Sequence, residues 1–156
     1  MIQTDTCLDD VGEQPYTVLV IEDDVDIAQL IAMQLRCEGF QVFTTAYGEE
    51  AMSLVHAKPV DLITLDMMLP DITGTEVLHR IKANPETADI PVIIVSVLLP
   101  EQTEDVTQKA VDYITKPFAF DKLMESIRNT LGTSLSSADP IEQKSPEHTQ
   151  GYSTTP

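Results

Sequence analysis

Basic residues are scarce in this chain: nine Lys and Arg stand against 26 Asp and Glu, a formal net charge of −17 over 156 residues. A chain this acidic repels nucleic acids and anionic membranes, which sets direct DNA or RNA binding and membrane association aside. Cysteine is almost absent. Cys7 and Cys37 make no disulfide framework, so reduced thiols and a cytoplasmic location are expected. Apolar runs such as Pro91–Val95 and Val97–Leu99 are far too short to span a bilayer. The start, Met1-Ile2-Gln3-Thr4-Asp5, shows no basic segment followed by an apolar one, and hence no signal peptide. Also missing are a Gly-rich phosphate loop, a G-x-S-x-G elbow, a Cys/His metal spacing and a helix-turn-helix or cyclase segment. His56, His79 and His148 form no convergent pattern.

What is present suffices for one folded domain. Apolar residues make up 42% of the chain and mean hydropathy is −0.04, ordinary values for a globular protein with a core. Residues 1–15 lack periodicity and read as a flexible arm. Residues 133–156, rich in Ser, Thr, Pro, Gln and Glu, read as a disordered acidic tail or linker. The arm carries four acids; the tail carries three, with Lys144. So 19 acids and eight bases remain in residues 16–132. Some of those carboxylates must lie close together, and clustered carboxylates call for a cation.

Within 16–132, apolar runs of strand length alternate with helical periodicity. Thr17–Ile21 is a short β-branched run suited to a strand buried on both faces. Val25–Glu38 reads as a helix with Asp24 as N-cap, Gly39 at C′, and Ile27, Leu30, Ile31, Met33 and Leu35 on its apolar stripe. Strands are expected at Gln41–Ala46, Leu62–Asp66, Pro91–Val95 and Tyr113–Thr115. Helices are expected at Glu49–Ala57, Thr75–Ala83, Glu101–Lys109 and Ala119–Leu131, the last presenting Leu123, Met124, Ile127 and Leu131. This alternation predicts an α/β, doubly wound five-stranded parallel sheet with right-handed crossovers and helices on both faces. Ligands of such folds bind beyond the carboxyl ends of the strands.

Strand one ends in Glu22-Asp23-Asp24, strand three in Asp66, strand four in Ser96 and strand five in Lys116-Pro117. Carboxylates converging there would repel one another without a counter-ion. Mg²⁺ suits a site with few carboxylates that keeps some waters. A lysine and a hydroxyl are what a transferred phosphoryl group needs beside it. Asp66 would be the nucleophile. Each piece has a plainer reading: a capped helix start for the acid run, a packed aromatic for Tyr113, core filling for the methionines.

Together the pieces are specific. Val18–Asp24 (VLVIEDD), Asp61–Gly74 (DLITLDMMLPDITG), Pro91–Ser96 (PVIIVS) and Asp112–Phe118 (DYITKPF) resemble, in order and separation, the receiver domain of two-component response regulators. The resemblance covers residues 17–131 and implies a flavodoxin-like strand order 2-1-3-4-5. It implies Asp66 as phosphoacceptor, loaded by a sensor histidine kinase or a phosphotransfer protein. Mg²⁺ would be held by Asp24 and Asp66 directly, by Asp23 through water and by the backbone carbonyl of Met68. Lys116 would pair with the phosphoryl oxygens, after a cis peptide before Pro117. Ser96 and Tyr113 would move together as the switch. The surface so altered, formed by the helical segments 101–109 and 119–131 with strand five, would bind a downstream partner, an output domain outside this chain, or a second copy. Such a protein is a phosphoacceptor that catalyses its own phosphorylation and slow dephosphorylation rather than a turnover enzyme.

Three features depart from the family's usual pattern. Val97 follows the switch hydroxyl where a small residue is usual, and Met68 stands two positions after Asp66 where polar residues are common. Both border the route of water to the phosphoryl group, which predicts a long-lived phosphoaspartate. Segment 97–109 is about two residues short and carries Pro100, so its helix should be short or irregular, with Leu98 and Leu99 exposed as a docking patch. The rival reading is a pseudo-receiver acting as a phosphorylation-independent scaffold. A small Mg²⁺-dependent aspartyl phosphatase lacks its second acid, since position 68 is methionine.

Overall fold

The computed structural model describes residues 15–102 and 108–132. Five strands, β1 (Thr17–Ile21), β2 (Gln41–Thr45), β3 (Leu62–Leu65), β4 (Val92–Ser96) and β5 (Asp112–Thr115), form one parallel sheet in the order 2-1-3-4-5. The α-helices among the described residues are α1 (Val25–Cys37), α2 (Gly48–Ala57), α3 (Gly74–Ala83) and α4 (Phe120–Leu131). This is the expected doubly wound, flavodoxin-like architecture. The arm up to residue 14 and the tail 133–156 lie outside the described residues. No described helix is long and apolar enough to cross a membrane.

The three central strands, β1, β3 and β4, are buried at every position because both faces of the sheet are covered there. Val18 and Val20 join Ile93, Val95 and Ile114 in a core under α1 and α4. Leu19 and Ile21, of opposite parity, join Ile63, Leu65 and Ile94 in a second core under α2 and α3. Burial of a large aliphatic side chain stabilises by about 1.5–3 kcal/mol, and Leu19, Ile21, Leu62, Ile63, Ile93 and Ile94 are all fully enclosed.

Helix α1 starts and stops as its sequence dictates. Asp24 accepts hydrogen bonds from the Asp26 and Ile27 amides. At the other end Gly39 takes φ +93°, its amide donates to Arg36, and the Phe40 amide donates to Leu35. That is a Schellman closure, which needs the left-handed residue that glycine supplies. The expected stripe is only partly the buried one. Ala28, Ile31, Ala32 and Leu35 face the core, while Leu30 and Met33 are exposed; two small alanines let the helix lie close to the sheet and turn those longer side chains outward. In α4, Leu123, Met124 and Ile127 are buried and Leu131 is partly so, as expected.

Between β4 and β5 the described residues hold only a 3₁₀ turn, Pro100–Gln102. The rest of the expected helix, 103–107, lies outside them. Leu99 is exposed as expected, but Leu98 is half-buried and packs on the second core. The docking patch therefore loses one of its two leucines.

Candidate functional site

The sheet register decides which acids meet. In the β1–β3 pair Ile21 stands opposite Leu65, and the Asp66 amide donates to the Ile21 carbonyl at 3.0 Å. One residue further on, Glu22 and Asp66 leave adjacent strand ends. Carboxylate oxygens of Glu22, Asp23 and Asp66 all lie within 4.8 Å of one another, with Glu22 and Asp66 buried and Asp23 exposed. Glu22 is 3% and Asp66 5% accessible.

Asp24, expected as a direct metal ligand, stands outside this group. Its Oδ1 is engaged by two amides of the first turn of α1, at 3.0 and 3.2 Å. Within this group Glu22 stands beside Asp23 and Asp66, while Asp24 caps the helix that begins immediately after it. Strand parity carries the signal for Glu22: it continues the Val18, Val20 series that faces α1 and α4.

Lys116 enters from the far side of β4. Its amide donates to the Ser96 carbonyl at 2.8 Å, and its peptide to Pro117 is cis, as the resemblance implies. The ammonium donates to Glu22 Oε2 at 2.6 Å and to Asp66 Oδ2 at 3.1 Å. Burial alone would favour the neutral amine, but these two acids outweigh it and raise the lysine above its ordinary value. Burial also pushes the Glu22 carboxyl up to about 7, opposed by the Lys116 bond and reinforced by the Asp66 charge. Two nearly dry carboxylates sharing one ammonium leave the pocket short of positive charge.

The remaining expected residues surround this centre. The Met68 amide donates to Asp66 Oδ1 at 3.1 Å, so the loop after β3 folds back over the carboxylate; the Met68 side chain is 55% exposed. Ser96 is fully buried at the end of β4, and its hydroxyl accepts from the Leu98 amide at 3.4 Å. Val97 beside it is 58% exposed. The half-buried Tyr113 donates its hydroxyl to the Leu98 carbonyl at 2.6 Å, tying β5 to the segment after Ser96. The structure therefore brings Asp23, Asp66 and Lys116 together, adds Glu22, and places Ser96 at the end of β4, Met68 on the loop after β3 and Tyr113 within β5.

The loop that carries Asp66 is fastened at both ends. Asp71 accepts from the Gly48 and Glu49 amides at 2.8 and 2.9 Å, capping α2 from across the chain. These contacts hold its carboxyl below the usual aspartate range, the Glu49 amide contributing most. Gly74 lies so close under the loop that a Cβ there would stand 2.5 Å from the Asp66 carbonyl oxygen.

Comparison with known proteins agrees with this geometry. The family model described as the response regulator receiver domain matches residues 18–128. The probable transcriptional regulatory protein TcrX of Mycobacterium tuberculosis is 32% identical over 120 residues, 76% of this chain and 50% of that protein. The cell cycle transcriptional regulator CtrA of Caulobacter vibrioides is 36% identical over 124 residues, 80% of this chain and 54% of that protein. The chain thus spans about half the length of these relatives. Among solved structures, the response regulator TrrA of Thermotoga maritima, in complex with Mg²⁺-BeF, superposes with a TM-score of 0.67 at 29% identity, covering 73% of this chain and 97% of that one.

Proposed function

The chain belongs to the response regulator receiver domain family, and from that membership we propose that it accepts a phosphoryl group on Asp66 in a Mg²⁺-dependent reaction. The observation that carries the reading is the convergence of Glu22, Asp23, Asp66 and Lys116 on one sheet edge. The donor set fits the metal: three hard carboxylate oxygens, one open to water, in a pocket deficient in positive charge. Asp23, Asp66 and Glu22 would hold the ion, with the Met68 carbonyl in reach of the same loop, and Mg²⁺ when bound would supply neutralising charge. In the relative from T. maritima the same two chemistries, Mg²⁺ and a fluoride analogue of phosphoryl, are bound together.

In the proposed step an Asp66 carboxylate oxygen attacks the phosphorus of a phosphohistidine on a sensor kinase or phosphotransfer protein. The P–O bond forms as the P–N bond breaks, and the imidazole nitrogen keeps the electron pair. Lys116 stands where it can neutralise the phosphoryl oxygens. Ser96 and Tyr113 are the residues through which the new charge would act on β5 and α4, reshaping that face for a downstream partner or a second copy. Because TcrX and CtrA are about twice as long as the matched region, an output domain, DNA-binding or otherwise, would lie outside these 156 residues. The reading places the protein in the cytoplasm, makes it a phosphoacceptor with self-catalysed transfer and slow dephosphorylation rather than a turnover enzyme, and leaves its own acidic surface off DNA and membranes.

Intact mass after incubation with Mg²⁺ and acetyl phosphate tests it. One phosphoryl adduct that requires Mg²⁺ and disappears in Asp66→Ala is expected. No adduct, together with no Mg²⁺ binding, would return the chain to the scaffold reading.

A further inference from the structure

The shortest polar contact in the pocket is not made by Asp66. Lys116 Nζ lies 2.6 Å from Glu22 Oε2 and 3.1 Å from Asp66 Oδ2. Glu22 is held as firmly as Asp66. Its own amide donates to the Thr45 carbonyl at 3.0 Å, and its second carboxylate oxygen accepts from the Asp24 amide at 3.2 Å. The Asp66 carboxylate, by contrast, is the group whose chemistry must change during transfer. An ammonium has three N–H donors, and it sits at the end of a four-carbon stem with much rotamer freedom to lose. One donor committed to a fixed, dry carboxylate holds the stem in place and leaves two others for whatever Asp66 carries.

We propose that Glu22 is a positioning residue for Lys116: it anchors the ammonium beside Asp66 before and after transfer, so that the lysine meets the phosphoryl oxygens already oriented. This rests on the reading of Asp66 as phosphoacceptor and adds to it a division of labour within the acid cluster. Asp23 and Asp66 serve the metal, while Glu22 serves the lysine as well. A residue that only ligates Mg²⁺ would give a defect that excess Mg²⁺ repairs. An anchor for Lys116 would give a defect that excess Mg²⁺ leaves in place.

The test uses the full chain with Glu22→Gln, which removes the charge at constant length. Two quantities are read: the ¹⁵N–¹H resonance of the Lys116 ammonium without Mg²⁺ or phosphodonor, and the initial rate of loading from acetyl phosphate across a Mg²⁺ series. In the wild type the nearly buried, doubly bonded ammonium should give a resolved signal. In Glu22→Gln that signal should broaden into solvent exchange, and the rate at saturating Mg²⁺ should remain about tenfold low, the loss expected for one charge-assisted contact. Glu22→Asp keeps the charge and should recover the rate to within about threefold, with a weakened Lys116 signal; it carries the test if Glu22→Gln does not fold. An unchanged Lys116 signal, or a rate that returns to the wild-type value at high Mg²⁺, overturns the proposal. The resonance is measured without phosphodonor, so it stands apart from the Asp66→Ala mass experiment that judges the underlying reading.

Discussion

Gly74→Ala should damage both stability and phosphoryl transfer, although residue 74 touches no reacting atom. A Cβ built on Gly74 would lie 2.5 Å from the Asp66 carbonyl oxygen, 2.5 Å from Met67 Cα and 3.1 Å from the Asp66 carbonyl carbon, where side-chain carbons almost never come nearer than 3.0 Å. All three atoms are backbone, and the backbone has little freedom there. The Gly74 amide donates to the Met67 carbonyl at 3.0 Å, and the Asp66 amide is locked to Ile21 at 3.0 Å. The start of α3 must therefore back away from the end of β3 by about half an ångström, or Asp66 must yield. Overpacking of this kind costs about 1–3 kcal/mol. At roughly 4 °C per kcal/mol for a domain of this size, Tm should fall by about 8 °C. A shift of a few tenths of an ångström at a reacting carboxylate is worth roughly tenfold in rate.

Gly48→Ala is the control. Its Cβ would come as near, 2.4 Å from Ile72 Cγ1 and 2.8 Å from Val77 Cγ2, but these are side-chain atoms that can turn aside. The two variants should therefore separate. Both lose stability in thermal unfolding followed by circular dichroism, while only Gly74→Ala loses loading rate with acetyl phosphate at a temperature where it remains folded. Equal loading rates for Gly74→Ala and wild type would refute the claim that this glycine protects the geometry of Asp66.

Asp71→Ala removes the cap that the β3–α3 loop places on α2, so its urea midpoint at pH 7 should fall. Because the folded carboxyl is held below its ordinary value of 3.8, this contribution is present above pH 3.8 and lost as pH falls through the folded value; acid titration of the midpoint should be shallower in the variant over that window. Met68→Asn and Val97→Ala replace two exposed apolar side chains, one on the loop whose amide binds the Asp66 carboxylate and one directly after Ser96, and each should speed hydrolysis of the phosphoaspartate several-fold. Decay curves followed by phosphate release, identical in wild type and both variants, would end the idea that these side chains keep water from the phosphoryl group.

The fold was legible because the periodicities were clean. A run such as Thr17–Ile21, four aliphatic residues after one threonine, has no polar face to show to water, and several such runs spaced by helical segments admit little except a covered parallel sheet. The element limits erred by a residue where the last strand residue is itself polar, as at Ser96, which belongs to β4, or where the first helical residue is a glycine, as at Gly48 and Gly74. The buried stripe of α1 differs from its apolar spacing because spacing alone cannot tell Leu30 and Met33 from Ala28 and Ala32. Only the closeness of helix to sheet decides which are buried. The segment after β4 was anticipated as irregular from Pro100, and the described part, a single 3₁₀ turn, is consistent with the steric argument.

The acid run shows where reading from residue types ends and register begins. Glu22, Asp23 and Asp24 are equivalent as donors, and a motif of two aspartates draws attention to the second and third. The helix that follows sets them apart. With Val25 as the first residue of α1, Asp24 is its N-cap, and a carboxylate that accepts two amides of the first turn has a stabilising occupation of its own. Glu22, one step beyond the Ile21–Leu65 pair, is delivered to Asp66 by the sheet itself. The two positions should therefore answer differently to the same change. Asp24→Ala should cost about 1 kcal/mol in urea unfolding, the usual value of an N-cap, and leave Mg²⁺ affinity within about twofold of wild type in a calorimetric titration. Asp23→Asn should do the reverse: near-wild-type unfolding, and Mg²⁺ binding weakened by about tenfold or more, the loss expected when one carboxylate of three is neutralised. A tenfold loss of Mg²⁺ affinity in Asp24→Ala with an unchanged urea midpoint would place the metal on the aspartate pair instead and make the cap incidental.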